Sequence, residues 1–245
     1  MTLSGPRAKW EVRSMVDSRR ILMVIPARGG SKRLPRKNVL PLAGKPLICW
    51  TIETALATGL DARILVTSDD EEILGLAQGY ESQGVIAHRR PAELASDTAS
   101  TADALVDAVQ AEQKAGYAPE ILVLLQPTSP LRNAEDVLSA FNVFEEAGCS
   151  DTVVGVCELE HPTAWVGQIG DDSRFTGIDL SGKRSQDYQK EYRLNGAVYV
   201  TRTEVLMDTR SLFTERLRAS VMPRIRSFDI DEEVDFRICG SLISG

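Results

Sequence analysis

An apolar run, Ile21-Leu22-Met23-Val24-Ile25, empties directly into Gly29-Gly30-Ser31, with Arg28, Lys32, Arg33, Arg36 and Lys37 crowded around the turn. No other feature of the chain narrows its fold as much. A short run that is apolar at every position is the pattern of a strand buried on both faces, as in a parallel sheet. Glycine lets a backbone approach an anion closely because no Cβ intervenes. Successive N–H groups and cationic side chains can then converge on phosphate oxygens. A strand that opens into such a loop places a polyphosphate site at the carboxyl edge of an α/β sheet. The loop fits neither GxxxxGK[ST] nor GxGxxG, so an ATPase or a dinucleotide-dependent dehydrogenase is disfavoured.

The same alternation continues downstream. Pro46 suits the first turn of a helix running to about Thr58, with Gly59 as its stop. Strands are expected at Arg63–Thr67, Val85–Ala87, Ile121–Leu125 and Thr152–Val156, and helices at about Ala102–Gln113 and Ala134–Glu146. Ser68 and Glu71 have the S-x-x-E spacing of a capping box opening a further helix. This β-α-β-α order predicts a three-layer α/β fold with a mainly parallel sheet. The polar segments at 27–38, 88–100 and 126–132 all follow strands, so they should gather on one edge. Residues 158–192 break the pattern and read as an insertion of hairpins and loops, of the kind that forms lids or oligomer contacts. Order returns with a strand at Gly196–Val200, a short helix near Glu204, a strand at Arg224–Phe228 and a last helix from about Glu232. Residues 1–20 are polar, lack the apolar core of a signal peptide and are expected to be a disordered extension, or translation starts at Met15. Residues 21–245 are expected to form one domain.

The formal net charge of −7 argues against general nucleic-acid binding, and the local cationic loop suits a small anion instead. Four cysteines without a CxxC pair predict reduced thiols in a cytoplasm. His88 and His161 are the only histidines, so a zinc site or a Ser-His-Asp triad is poorly supplied. No apolar run approaches the ~20 residues that cross a membrane.

Asp229 and Asp231 alternate with Phe228 and Ile230, and on a strand end period two would turn both carboxylates to one face. Hard oxygen ligands so placed suit Mg²⁺ bridging phosphates. The alternative is that Asp231 caps the helix beginning near Glu232. Asp235 reads as helix surface. Arg90 precedes Pro91 and should be extended, and Asp97 or Thr98 is positioned to cap the next helix. Gln126 ends the most apolar strand, where an amide can both donate and accept. Asn195-Gly196 reads locally as a hairpin turn.

Five segments, ARGGSKRLPRKN, RRPAELASDTAS, LQPTSPLR, RLNGAVYV and SFDIDEEVD, occur in that order from residue 27 to 235. From about residue 20 onward the chain resembles the acylneuraminate cytidylyltransferases, also called CMP-sialic acid synthetases. The resemblance implies a Rossmann-like nucleotidyltransferase fold, CTP as donor, an acidic 2-keto sugar as acceptor, Mg²⁺ (with Mn²⁺ possible) as metal, and a homodimer with residues of about 158–192 as a small dimerisation insertion. It carries Arg28, Ser31, Lys32 and Lys37 over as holders of the triphosphate and Asn38 as a further nucleotide contact. Arg90 would read the cytosine, with Ala99, Ser100 and Thr101 beside base and ribose. Gln126 would touch the sugar, Asn195 would stand on its sugar or metal side, and Asp229 and Asp231 would hold the metal. Arg28, Lys37, Asp229 and Asp231 form the expected catalytic group.

The sugar carboxylate needs a cation, for which Arg184 and Arg193 are the candidates. Here the sequence departs from the family. An Arg-Gln-x-x-Pro pattern is replaced by Arg184-Ser185-Gln186, and the lysine after a His-Pro pair is missing, because Thr163 follows His161-Pro162. Neuraminate-, legionaminate- and pseudaminate-like acids therefore all stay open. Two further alternatives are transfer to the eight-carbon acid 3-deoxy-manno-octulosonate and a non-catalytic sugar-nucleotide sensor. No histidine falls in the matched segments, which leaves deprotonation of the sugar hydroxyl to metal or to a carboxylate acting through water.

Overall fold

The structure is a computed structural model that describes residues 19–95 and 99–245. Its first strand, β1 (Ile21–Pro26), is the apolar run, with Ile21 to Ile25 fully buried. Period two divides its side chains between two apolar layers. Ile21, Met23 and Ile25 enter one, and Leu22 and Val24 enter the other. Each such side chain contributes about 1.5–3 kcal/mol on burial, which is why the strand must be covered on both sides.

After β1 come the small hairpin β2 (Pro41–Leu42) and β3 (Lys45–Pro46), α1 (Leu47–Ala57), β4 (Ala62–Ser68), α2 (Glu71–Gln78), β5 (Val85–Arg89) and α3 (Thr101–Lys114). Then follow β6 (Ile121–Leu125), α4 (Ala134–Glu146) and β7 (Thr152–Glu158). A hairpin of β8 (Gln168–Ile169) and β9 (Phe175–Thr176) precedes β10 (Tyr192–Arg202), α5 (Thr203–Thr209), β11 (Leu217–Val221) and α6 (Glu233–Ser244).

Seven strands make one sheet in the order β11-β7-β10-β6-β1-β4-β5. Only β10 runs against its neighbours, and the other pairings are parallel. α1, α2 and α4 pack on one face of the sheet, α3 and α5 on the other. The expected three-layer, mainly parallel α/β architecture is the one observed. The carboxyl ends of β1, β4, β5, β6 and β7 share an edge with the start of β10. A third apolar cluster of Leu34, Leu42, Leu47, Ile230 and Cys239 clamps α6 and the segment before it against the loop after β1. That clamp brings residues 198 positions apart, Arg33 and Asp231, into contact.

Several local expectations are corrected. The strand expected at Arg224–Phe228 is a single 3-10 turn at Arg224–Arg226 followed by irregular chain, and the sheet strand lies earlier, at β11. Pro223 lacks a ladder donor, and Arg226 is held bidentately by Asp136 of α4 at 2.8 and 3.0 Å, which draws the segment to a helix. Asp229 and Asp231 are therefore not alternate residues of a strand. The Ser68–Glu71 capping box does not form. Asp70 caps α2, accepting from the N–H groups of Glu72 and Ile73 at 3.0 and 3.1 Å, while Ser68 ends β4. Asn195-Gly196 is no hairpin turn. It lies within β10, where pairing with β7 shifts between Leu194 and Tyr199 and Gly196 takes a φ of 73°. α6 is capped at Glu232, with the Asp235 carboxylate accepting from Asp231 and Glu232 N–H at 3.0 and 2.9 Å. Asp231 is thus not its cap, and Asp235 is more than helix surface.

Residues 158–192 hold the β8–β9 hairpin and short turns with no further βα unit. The expected extension lies mostly outside the described residues, as do Met15 and the expected caps Asp97 and Thr98. The hydroxyl of Ser100 caps α3, accepting from Asp103 N–H at 3.1 Å.

Candidate active site

A cleft of about 480 Å³ opens at the carboxyl edge between the loops after β1, β5 and β6. The β1 loop supplies Arg28, Ser31, Lys32, Lys37 and Asn38. The β5 side supplies Arg90, Ala99, Ser100 and Thr101, the end of β6 supplies Gln126, and Asp231 closes the cleft from the C-terminal segment. Arg33, Leu34, Pro127 and Thr128 line it as well, although the sequence reading assigned them no contact. Asp229, Arg184, Arg193 and Asn195 do not line it.

The loop after β1 keeps its shape through its own polar contacts. Arg36 sits in the left-handed region (φ 59°), a conformation costly for a residue with a Cβ. Its guanidinium is tied to Asp70 and Glu72, which holds the backbone there. The turn that follows buries Lys37 and Asn38. Lys37 donates to the Ile230 carbonyl and lies 3.5 Å from Asp231 Oδ1. Asn38 Nδ2 donates to Arg28 O at 3.0 Å, and its Oδ1 is buried without a partner. Gly29 N–H is not open to an anion, because it donates to Asp69 Oδ1 at 3.1 Å.

The opposite wall centres on Arg90, which is only 6% exposed. Burial lowers its pKa, the neighbouring Asp69 counteracts this, and Arg28 adds to the lowering. Its Nε is buried with no partner. Gln126 lies over the β10 irregularity, so that a Cβ on Gly196 would fall 3.5 Å from its Oε1. Behind it Arg132 is fully enclosed, donating to Gln126 O, Ala197 O and Thr51 Oγ1 at 3.1, 2.7 and 2.8 Å. Burial pushes the pKa of Arg132 down to about 10, and it still carries its charge at neutral pH.

On the acidic side, Asp231 is half-exposed and meets Arg33 at 2.8 Å as well as Lys37. Asp229 is set deeper, and its Oδ1 is buried without a well-formed hydrogen bond. Burial raises its carboxyl above the ordinary range. The adjacent Thr128 opposes this, Asp231 and Asp235 add to it, and Lys37 opposes it again.

Asn195 is 2% exposed and fully engaged, donating to Ser227 Oγ at 3.0 Å and accepting from Ala197 N–H at 3.1 Å. Its amide lies where a Cβ on Gly155 would sit, so it joins β10 to β7 and the chain at Ser227 instead of facing the cleft. Arg193 is exposed and donates to the carbonyls of Leu194 and Ser227, both at 3.3 Å. Arg184 lies on the excursion and lines a separate hollow with Glu158, His161 and Tyr188. Within one chain, neither arginine candidate for the sugar carboxylate reaches the cleft. Asp69, Asp70 and Arg132 were missed from sequence. The position of Asp69-Asp70 directly after a strand was the available signal for the pair, whereas nothing local marks Arg132 as buried.

Residues 22–167 match the cytidylyltransferase family. Over 220 residues the chain is 32% identical to the N-acylneuraminate cytidylyltransferase of Escherichia coli O18:K1:H7, covering 89% of this chain and 51% of that protein. It thus spans about half the length of that relative. It is also 32% identical to the CMP-N,N'-diacetyllegionaminic acid synthase of Legionella pneumophila, covering 91% of this chain and 96% of that one. A pseudaminic acid cytidylyltransferase of Campylobacter jejuni is again 32% identical, over 87% of this chain and 92% of its own length. Among solved structures, a CMP:2-keto-3-deoxy-manno-octonic acid synthetase complexed with CTP superposes with a TM-score of 0.70 at 20% identity, covering 93% of this chain and 99% of that one. That likeness is one of fold.

Proposed function

The chain belongs to the cytidylyltransferase family, and from that premise we propose that it transfers CMP from CTP to the anomeric hydroxyl of a sialic-acid-like nonulosonic acid. The observation that carries the reading is the convergence of Arg28, Lys32, Lys37, Arg90 and Asp231 on one cleft. The sugar oxygen forms a bond to the α-phosphorus as the bond to the β-phosphate oxygen breaks, and the hydroxyl proton passes to water or a carboxylate. Arg28, Ser31, Lys32 and Lys37 hold the triphosphate and offset its charge in a preorganised frame. Arg90 and residues 99–101 take the base and ribose, and Gln126 takes the sugar.

The carboxylates Asp229 and Asp231 would hold Mg²⁺. The fit rests on Asp229 Oδ1, buried without a well-formed partner beside a carboxylate that opens on the cleft. Mg²⁺ uses one or two carboxylates and completes its shell with phosphate oxygens and water. That usage agrees with the lack, among the described residues, of any group of three or more His, Cys, Asp or Glu able to hold a metal alone. The ion, when bound, neutralises charge on the departing pyrophosphate.

The test supplies CTP, Mg²⁺ and a panel of nonulosonic and octulosonic acids and measures pyrophosphate. The expected result is release with a nonulosonic acid, and with CTP in preference to ATP, GTP and UTP. Another nucleotide used at equal or better kcat/KM would overturn the assignment.

The same reading includes a homodimer. On the excursion between β7 and β10, Trp165, Val166, Ile169, Phe175 and Leu180 are all exposed, an apolar surface that a second copy would cover. Light scattering is expected to give a dimer at micromolar concentration, and a fully active monomer would remove this part. Four buried free cysteines suit a reducing cytoplasm. No helix among the described residues is long and apolar enough to cross a membrane.

A further inference from the structure

We infer that Asp69 is a positioning residue, one carboxylate that ties the loop after β1 to the loop after β5 and so sets the span between the two walls of the cleft. The inference rests on the nucleotide reading given above. Its basis is topological as well as local. β4 lies between β1 and β5 in the sheet, and Asp69 is the first residue after it. From there a single oxygen reaches both walls, since Oδ1 accepts Gly29 N–H at 3.1 Å and lies 3.7 Å from Arg90 Nη2.

Each wall depends on that carboxylate. Gly29 is flanked by Arg28 and leads to Ser31 and Lys32, so its peptide sets where those groups stand. The loop is seated closely on the Asp69-Asp70 pair, because a Cβ on Gly29 would fall 2.6 Å from Asp70 Oδ2. Asp70 has other work, capping α2 and holding Arg36. On the other wall Arg90 is buried, and among the described residues Asp69 is the carboxylate with which it forms an ion pair. The charge of Arg28 disfavours that of Arg90. A carboxylate between two cationic loops holds them at a fixed span before any phosphate arrives. Prepaying that arrangement favours binding of a nucleotide whose phosphates and base must be met together.

The test titrates CTP calorimetrically, without acceptor sugar, into wild type, Asp69→Asn and Asp69→Ala, and adds steady-state kinetics and melting curves. Asparagine keeps the size and an oxygen for Gly29 N–H but drops the charge facing Arg90. For Asp69→Asn, Kd and KM for CTP are expected to rise about tenfold, equivalent to about 1.4 kcal/mol. The melting temperature should fall by a few degrees, because Arg90 keeps its buried charge without that carboxylate, and the KM for the sugar acid should be unchanged. Asp69→Ala should lose more and should also discriminate less between CTP and UTP. A purely structural Asp69 would lower the melting temperature of both variants and leave CTP binding alone. CTP affinity within twofold of wild type in Asp69→Asn would overturn the inference alone. Wild type that fails to bind CTP would overturn the nucleotide reading and this inference with it.

Discussion

Asp231→Asn is expected to lower kcat by at least ~10²-fold, the loss of one strong electrostatic stabiliser, while the melting temperature moves by no more than about 2 °C. The substitution removes one charge and hardly changes size. Stability should hold because α6 is capped at Glu232, with Asp235 accepting the nearby N–H groups, so asparagine at 231 disturbs no cap. The Arg33 pair that would be lost is exposed and contributes little, and Lys37, the other cation beside Asp231, keeps its bond to the Ile230 carbonyl. The effect should fall on kcat because charge at this position matters most as the pyrophosphate leaves. The measurement is kcat at several Mg²⁺ concentrations beside a melting curve. A near-wild-type kcat with unchanged Mg²⁺ dependence would remove the carboxylate from the mechanism.

Lys37→Met should be at least as damaging, with kcat/KM for CTP falling by ~10²–10³-fold. Methionine replaces the stem of the side chain but not the ammonium, which is mostly buried, donates to Ile230 O and faces Asp231. Leaving a buried carbonyl unsatisfied costs about 1–3 kcal/mol, so a fall of several degrees in melting temperature is expected too. The assay must therefore run well below the transition. Lys37 and Asp231 touch, so the double variant Asp231→Asn/Lys37→Met should lose less than the product of the two single losses. A kcat/KM within fivefold of wild type in Lys37→Met, or strict multiplicativity in the double variant, would show that the lysine does not act with the carboxylate on the phosphates.

Much of this architecture was legible in the chain because it is written in neighbouring residues. The apolar run at 21–25 and the alternation after it need only local periodicity to be read, since a strand buried on both faces cannot carry polar side chains. The cationic loop after β1 is readable for a similar reason. Gly29-Gly30 and the cations around it lie within ten positions, and Arg28, Lys32, Arg33 and Lys37 of that stretch line the cleft. The excursion at 158–192 also shows in the sequence, as a stretch without period.

Other features exist only once the sheet is assembled. The edge strand β11 alternates Leu217, Ala219 and Val221 with Arg218 and Ser220, but its place in the sheet comes from parallel pairing with β7, and the segment after it is drawn to α4 by Arg226 and Asp136. Asn195-Gly196 has the composition of a turn, yet it sits inside a strand because Gly155 on β7 leaves room for its amide. Lys37 and Asp231 meet because Leu34, Leu42 and Ile230 pack α6 beneath the loop, and Asp69 spans two walls because β4 lies between β1 and β5. The sequence by itself determined most of the sheet strands, though not β11, and the cationic loop that lines the cleft. The tertiary structure decided which polar groups are free for a ligand and which are consumed in holding the site, because a hydrogen-bond partner far along the chain is chosen by packing and not by local pattern.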